Sequence, residues 1–286
     1  MKPLLPTYDF GVDVLLPVSK NSPYLIQAIE SIIDQDFTNW ILFVLIDKGD
    51  PNIEVVRSLV PSTKLKIIEF EDIFNLSNRL NYGISLGTSQ YIARMDADDV
   101  SDKNRFSSQV HMLHVENYYL VGSSAKVIDS KGMCIGKIRV NELSNEIKSN
   151  LLRKNQFIHP SLMFRRTVTE NVKFNSHLIR SQDYGFILEV AKSFDIGNNS
   201  AFLLCYRIHN LNHSNHKLSL QEMKILGKLK FEIARTLGRN GIYSVTWHSI
   251  WVFKNIFLSP ARSLNLRISL SKLKMYGSGH AFKSEE

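Results

Sequence analysis

Short apolar runs rich in β-branched residues alternate with amphipathic stretches through the first third of this chain, and that alternation limits the fold more than any other feature. Val12-Asp13-Val14-Leu15-Leu16-Pro17 reads as a buried strand stopped by proline, and Ile41-Leu42-Phe43-Val44-Leu45-Ile46-Asp47 as a second. Between them the spacing predicts a helix capped by Ser22, with Pro23 at its first position and Leu25, Ala28, Ile29, Ile32 and Ile33 on its core face. The unit repeats with a weaker helix over Asn52 to Val60, a strand at Leu65 to Phe70, a helix over Phe74 to Leu86 and a strand at Tyr91 to Met95. Parallel neighbours need such crossovers, so the pattern predicts an α/β fold with a mainly parallel central sheet flanked by helices. Ligands of open sheets gather beyond the carboxyl ends of the strands, where Pro17, Asp47 and Asp96 all fall.

The last of these strands runs directly into acids, as Tyr91-Ile92-Ala93-Arg94-Met95-Asp96-Ala97-Asp98-Asp99. Side chains of an extended backbone alternate, so Asp96 and Asp98 share a side. Two hard oxygen donors so placed suit Mg2+ or Mn2+, which keep other positions for water and substrate phosphates. Asp98, Asp99 and Ser101 equally suit the turn and N-cap of a helix beginning near Asp102, and the local sequence leaves both readings open. Three strands that deliver polar or turn residues to one rim favour the metal.

Downstream, a helix over about Asp102 to Glu116 turns Phe106, Val110 and Leu113 inward, with Arg105 in its first turn. A cation there opposes the helix dipole, which makes sense if Arg105 pairs with Asp96 or Asp99; the other reading is a solvent-facing arginine. Tyr119 to Ile128 reads as a strand, Asp129-Ser130-Lys131-Gly132 as a turn, and residues 132–155 as a weakly patterned accessory region. Gln156 to Phe164 is a strand-like run containing His159, a lone histidine of structural or functional use. Ser181-Gln182-Asp183-Tyr184 opens a helix with Ile187, Leu188 and Ala191 on its core face. Asp183 thus lies where the dipole favours its ionised form, as a base or as an ordinary first-turn acid. Ala201 to Tyr206 is a further strand, ending in Arg207-Ile208-His209.

From about Leu218 the chain becomes helical and basic, with Met223, Leu226, Leu229, Ile233 and Leu237 in phase. The Trp247-His248-Ser249-Ile250-Trp251-Val252-Phe253-Lys254 run that follows suits either a packed helix or a membrane interface. The formal net charge of +8 favours an anionic partner: nucleic acid, a phosphorylated small molecule or an anionic membrane surface. Cys134 and Cys205 have no metal-ligand spacing and fit a reducing compartment. The N-terminal residues do not read as a signal peptide, and no run of about 18 apolar residues is present to span a bilayer. A cytosolic protein is expected, with peripheral contact at the inner face of the membrane through the C-terminal region as an open option.

At this point the chain resembles the family 2 glycosyltransferases of GT-A fold, especially bacterial enzymes of surface polysaccharide assembly. The likeness runs from about Val12 to Ser214. Leu16-Pro17-Val18, Tyr24-Leu25, Ala28-Ile29-Glu30-Ser31-Ile32 before Gln35, and Leu80-Asn81-Tyr82-Gly83-Ile84 carry it. More specific are the acidic stretch with Arg105 and Gln109, then His159-Pro160-Ser161 with Met163 and Arg165, Asp183-Tyr184, and Tyr206-Arg207 with His209, all in the family's order.

The resemblance implies a GT-A domain over residues 1–215, with a donor half to about 130 and an acceptor half from about 131, followed by a helical basic extension over 216–286. It implies that Pro17, Val18 and the adjoining Ser19 line the nucleoside pocket, that Asp47 reads the base or ribose, and that Asp96 and Asp98 form a D-x-D element with Asp98 on an Mn2+ or Mg2+ ion. His209 would approach the metal or diphosphate. Asp183 would be the catalytic carboxylate, and His159 with Gln182 would shape the acceptor side. The implied activity is metal-dependent, inverting transfer of a sugar from a nucleoside diphosphate, most simply UDP, to a growing glycan or lipid-linked oligosaccharide of O-antigen or capsule type, with no nucleic-acid partner. Ser19 stands where the family commonly has an aromatic, Lys48 where it has an acid, and Gln182 where it has Glu, which keeps a catalytically altered homologue as an alternative. A nucleotidyltransferase would bring a Gly-rich, lysine-containing phosphate loop, and Leu15 to Ser22 has no glycine.

Overall fold

Strand β1 (Asp9–Pro17) is flanked on both sides by parallel neighbours, β2 (Trp40–Asp47) and β4 (Ser89–Arg94), and β2 in turn pairs in parallel with β3 (Leu65–Phe70). The crossovers are α1 (Leu25–Ile33), α2 (Asn52–Leu59) and α3 (Leu76–Leu86), as the alternation predicts. The computed structural model describes residues 9–19, 22–71, 75–142, 144–209 and 218–238, with residue 249. Period-two burial explains the apolar strands. Val12, Val14 and Leu16 face one core with α1, α2 and the later helix α4 (Arg105–His114), whereas Leu15 joins Phe43, Leu45 and Ile92 in a second core under α3.

Beyond β4 the sheet becomes mixed. After the two-residue β5 (Val100–Ser101) come β6 (Leu120–Ile128), β7 (Cys134–Ile138), helix α5 (Ser144–Leu151), β8 (Met163–Arg165), α6 (Gln182–Ser193), β9 (Ile196–Arg207) and α7 (Leu220–Thr236). The order across the sheet is β3-β2-β1-β4-β8-β6-β9-β5, with β7 paired to β6. Strand β8 is antiparallel to both β4 and β6, β6 is parallel to β9, and the short β5 is antiparallel to β9. The parallel block is therefore the N-terminal half, and the second half is stitched to it by β8.

Four local expectations change. Ile33 is 41% exposed, because Ser31 occupies the buried position of that turn and donates to the Ala28 carbonyl at 2.7 Å. Ser22 does not cap α1; its hydroxyl donates to the Ala97 carbonyl at 3.2 Å, tying the start of α1 to the acidic loop. Residues 132–155 hold the β7 hairpin arm and α5, whose Ile147 and Leu151 are fully buried. Of Gln156 to Phe164, only Met163 and Phe164 are strand, since Pro160 lacks an amide hydrogen and sits in a 3-10 turn over His159–Ser161.

Helix α7 begins with a capping box between Ser219 and Glu222 and packs on α6, burying Leu226, Leu229 and Ile233 in the second core. Trp247 to Lys254 lies outside the described residues apart from residue 249. Among the described residues no helix is long and apolar enough to cross a membrane.

Candidate functional site

The carboxyl end of β4 and the loop after it bring three acids together: one ligand oxygen each from Asp96, Asp98 and Asp99 lies within 4.8 Å of the others. The loop is gripped from several directions. Gln35 at the end of α1 donates to the Ser101 hydroxyl at 3.1 Å and the Asp102 carbonyl at 2.7 Å, and accepts from the Phe106 amide at 3.0 Å. Arg207, only 1% exposed, donates to the Asp98 carbonyl at 2.8 Å, the Asp129 carbonyl at 3.0 Å and Gln27 Oε1 at 2.6 Å, and its guanidinium stacks 4.3 Å from the Tyr24 ring. Its own amide donates to Asp99 Oδ1 at 2.8 Å.

Crowded like charges and burial have the expected electrostatic result. Burial raises the Asp98 carboxyl above its ordinary range, Asp96 raises it further, and His209, whose Nε2 lies 2.8 Å from Asp98 Oδ2, opposes them. Asp99 is pushed well up by full burial and then by Asp96 and Asp98. Its Oδ2 is buried and has no hydrogen-bond partner. An orphaned buried oxygen beside two further carboxylates is a donor set that a hard divalent cation fits, and a cation there would relieve the repulsion that raises both acids.

Arg105 is not solvent-facing, and it does not hydrogen-bond an acid. Fully buried, it donates to Gln109 Oε1 at 3.0 Å and to the carbonyls of Arg94 and Leu162 at 2.7 and 3.3 Å. Burial lowers its pKa to about 9, with Asp99 opposing. The arginine that pairs with Asp96 is Arg94, 2% exposed, which also donates to the Met95 carbonyl.

Across from the acid loop stands Asp183, in the first turn of α6. Burial raises its carboxyl to about 6 against the pull of the Tyr184 and Asp183 amides and the Arg94 charge, with Asp96 adding a small push upward. Asn155 donates to Asp183 Oδ2 at 3.0 Å while its own Oδ1 accepts from the Phe157 amide at 3.0 Å, which fixes the amide's orientation. His159 feels the same Arg94 and Asp96 charges, and burial lowers it to about 3, so its ring is neutral. Its Nε2 and the Oε1 of Gln182 are buried without hydrogen-bond partners.

Pro17, Val18 and Asp47 lie at the ends of β1 and β2 on the same rim. The Val18 amide donates to the Leu45 carbonyl at 2.9 Å and its side chain joins the first core, while Ser19 is exposed. Asp47 is paired with Arg79, whose guanidinium lies 5.0 Å over the Phe70 ring. Lys48 pairs with Glu71 at the surface.

The sequence reading takes Asp99 only as a cap or as a partner for Arg105, names Arg94 and Arg207 without giving them a role, and does not single out Asn155. Arg94 had a signal, since it shares parity with Asp96 on an extended chain. Asn155 and the grip of Arg207 on the acid loop had none, because the partners lie 28 and 109 residues away.

The family model described as glycosyl transferase family 2 matches residues 13–173. The O-antigen biosynthesis glycosyltransferase WbnJ of Escherichia coli is 30% identical over 79% of this chain and 91% of its own length. The E. coli UDP-Glc:alpha-D-GlcNAc-diphosphoundecaprenol beta-1,3-glucosyltransferase WfgD is 24% identical over 73% of this chain and 81% of its own. Among solved structures, S. aureus TarS 1-349 in complex with UDP-GlcNAc superposes with a TM-score of 0.69 at 14% identity, over 91% of this chain and 77% of that one, a likeness of fold.

Proposed function

The chain belongs to the family 2 glycosyl transferases, with their GT-A fold, and from that premise we propose that it transfers a sugar, with inversion and with the help of a divalent cation, from a UDP-linked donor to a hydroxyl of a lipid-borne surface glycan. The observation that carries this reading is the convergence of Asp96, Asp98 and Asp99 beyond the carboxyl end of a parallel strand. The names of the relatives support the donor and acceptor classes: O-antigen for WbnJ, UDP-glucose and a diphosphoundecaprenol acceptor for WfgD.

Asp98, Asp96 and Asp99 would hold Mn2+ or Mg2+, with His209 steering the Asp98 carboxylate. When bound, the ion supplies positive charge to the departing diphosphate. Asp183 accepts the proton of the acceptor hydroxyl as its oxygen bonds to the anomeric carbon and the bond to the diphosphate breaks. Attack from the face opposite the leaving group inverts that carbon, so no covalent sugar-enzyme intermediate forms. A carboxylate near 6 is mostly ionised at neutral pH yet basic enough to take the proton. Arg94 pairs with Asp96 and pulls the Asp183 carboxyl down, opposing the upward push of Asp96.

Thermal shift with UDP, GDP and CMP, each with and without Mn2+, tests donor and metal together. Stabilisation by UDP only with metal, lost in Asp98→Ala, is expected. A full UDP response in Asp98→Ala would end the assignment of the acid cluster. Asp183→Asn is expected to keep that response and lose transfer.

A further inference from the structure

The β6–β7 hairpin carries features that the catalytic reading does not use. Lys126 and Lys137 stand directly opposite each other in its ladder, both exposed, and like charges so placed weaken a hairpin. The Lys137 ammonium and the exposed Arg139 guanidinium lie 5.5 and 4.9 Å from the Phe202 ring on β9, so the cations gather over an aromatic floor. Beside them the register steps from Gly136 opposite Val127 to Cys134 opposite Ile128, which leaves Ile135 as a bulge. Ile135 is 40% exposed and Met133, at the turn, 66%. Lysines on an edge strand commonly guard it against pairing, and here they share the hairpin with Met133 and Ile135, which face water.

The hairpin's position gives these residues a direction. Asp129 Oδ1 accepts from the Lys131 and Met133 amides, each at 2.9 Å, and Gly132 turns the chain at φ +83. Arg207 joins the Asp129 carbonyl to that of Asp98, so the turn abuts the catalytic rim. The exposed residues of the hairpin therefore gather four cations, Lys126, Lys131, Lys137 and Arg139, around Met133 and Ile135, a local patch suited to meeting negative charge beside the rim.

We propose that this hairpin docks the protein on an anionic lipid bilayer. Met133 and Ile135 enter the headgroup boundary, and Lys126, Lys131, Lys137 and Arg139 meet lipid phosphates, which removes the repulsion between the paired lysines. The inference deepens the proposed function and rests on it for the acceptor, since a lipid-borne glycan would then arrive at the bilayer surface beside the acid loop.

Cys205→Ser leaves exposed Cys134 as the single thiol of the full chain, to be labelled with the environment-sensitive probe NBD and titrated with vesicles of phosphatidylcholine alone or mixed with phosphatidylglycerol. A blue shift on the anionic vesicles only, quenched by brominated acyl chains, is expected. Lys126→Gln with Lys137→Gln should weaken vesicle binding roughly 30-fold, at about fivefold per cation, while raising thermal stability without lipid and keeping transfer to a water-soluble acceptor. Three results would each overturn the inference: no vesicle binding, equal binding to neutral vesicles, or anionic binding with unchanged NBD emission, as when another segment makes the contact. None of them bears on transfer, which is read separately through Asp183→Asn.

Discussion

Replacing Asp183 by asparagine should make the protein more stable while it removes transfer, and the size and pH dependence of the gain follow from the site. Burial raises this carboxyl from its ordinary 3.8 to about 6. At 1.36 kcal/mol per pH unit, holding it ionised in the folded protein costs about 3 kcal/mol at neutral pH. The sign is fixed by proton counting. Between 3.8 and about 6 the folded state binds the proton that the unfolded state has released, so stability falls as pH rises through that window and stays low above it. Asparagine has the same shape and no charge to desolvate. Asp183→Asn should therefore gain about 2–3 kcal/mol at pH 7, on the order of 5–10 °C in Tm for a domain of this size, and the advantage should shrink towards zero as pH falls to about 4. Asn155 sets how much of the gain is realised, since its amide favours the ionised form and meets an asparagine less well. Paired thermal melts of both proteins from pH 4 to 8 provide the assay. A gain that is absent at pH 7, or that persists unchanged at low pH, would refute the placement of an ionised, desolvated Asp183.

Gln182→Glu should put a second carboxylate beside Asp183 and move the acidic limb of the kcat profile upward by about one pH unit; a pH-rate profile with an unmoved limb would count against close coupling of the two positions. Arg166 and Asp13, 4% and 2% exposed, form a buried ion pair that joins β1 to the segment after β8. Arg166→Met should therefore destabilise by about 3–5 kcal/mol in urea unfolding, because Asp13 would keep an uncompensated charge. Gly87→Ala would set a Cβ 2.1 Å from Asp13 Oδ2 and 2.7 Å from Arg166 Nη2. A loss of about 1–3 kcal/mol is expected, measured as a lower urea midpoint at unchanged m-value.

Most strands and helices were legible because burial on both faces writes itself as uninterrupted apolar runs, as at Leu42 to Ile46, all fully buried. Asp96 and Asp98 were legible for the opposite reason, since nothing in an apolar strand calls for acids at its end. The accessory half was less so. Strand β8 has three residues, too few for a period, and the polar surface of α5 hides the two positions that pack. Asp13 carries no local signal within its apolar strand; its meaning lies in Arg166, 153 residues away. The polar residues that carry the resemblance divide the same way. Gln35, Arg105, Gln109 and Ser161 are spent on holding the backbone and one another, whereas Asp99 and His159 each keep a buried atom with no hydrogen-bond partner.

That division explains how a chain can keep three carboxylates together. Cations are needed near such a cluster, but a guanidinium that chelates the acids would occupy the oxygens a ligand requires. Arg105 and Arg207 resolve the conflict by donating to main-chain carbonyls of Arg94, Leu162, Asp98 and Asp129, so their charge stays within electrostatic reach while their hydrogen bonds fix the loop. Asp99 receives only an amide on one oxygen and leaves the other unpartnered. Arg94 pairs with Asp96, as His209 does with Asp98, and it is also the arginine whose charge is felt at both Asp183 and His159. A change at the acid loop that frees Arg94 from Asp96 would thus strengthen its pull on Asp183 and lower that carboxyl's pKa, coupling the donor side to the base through a single side chain.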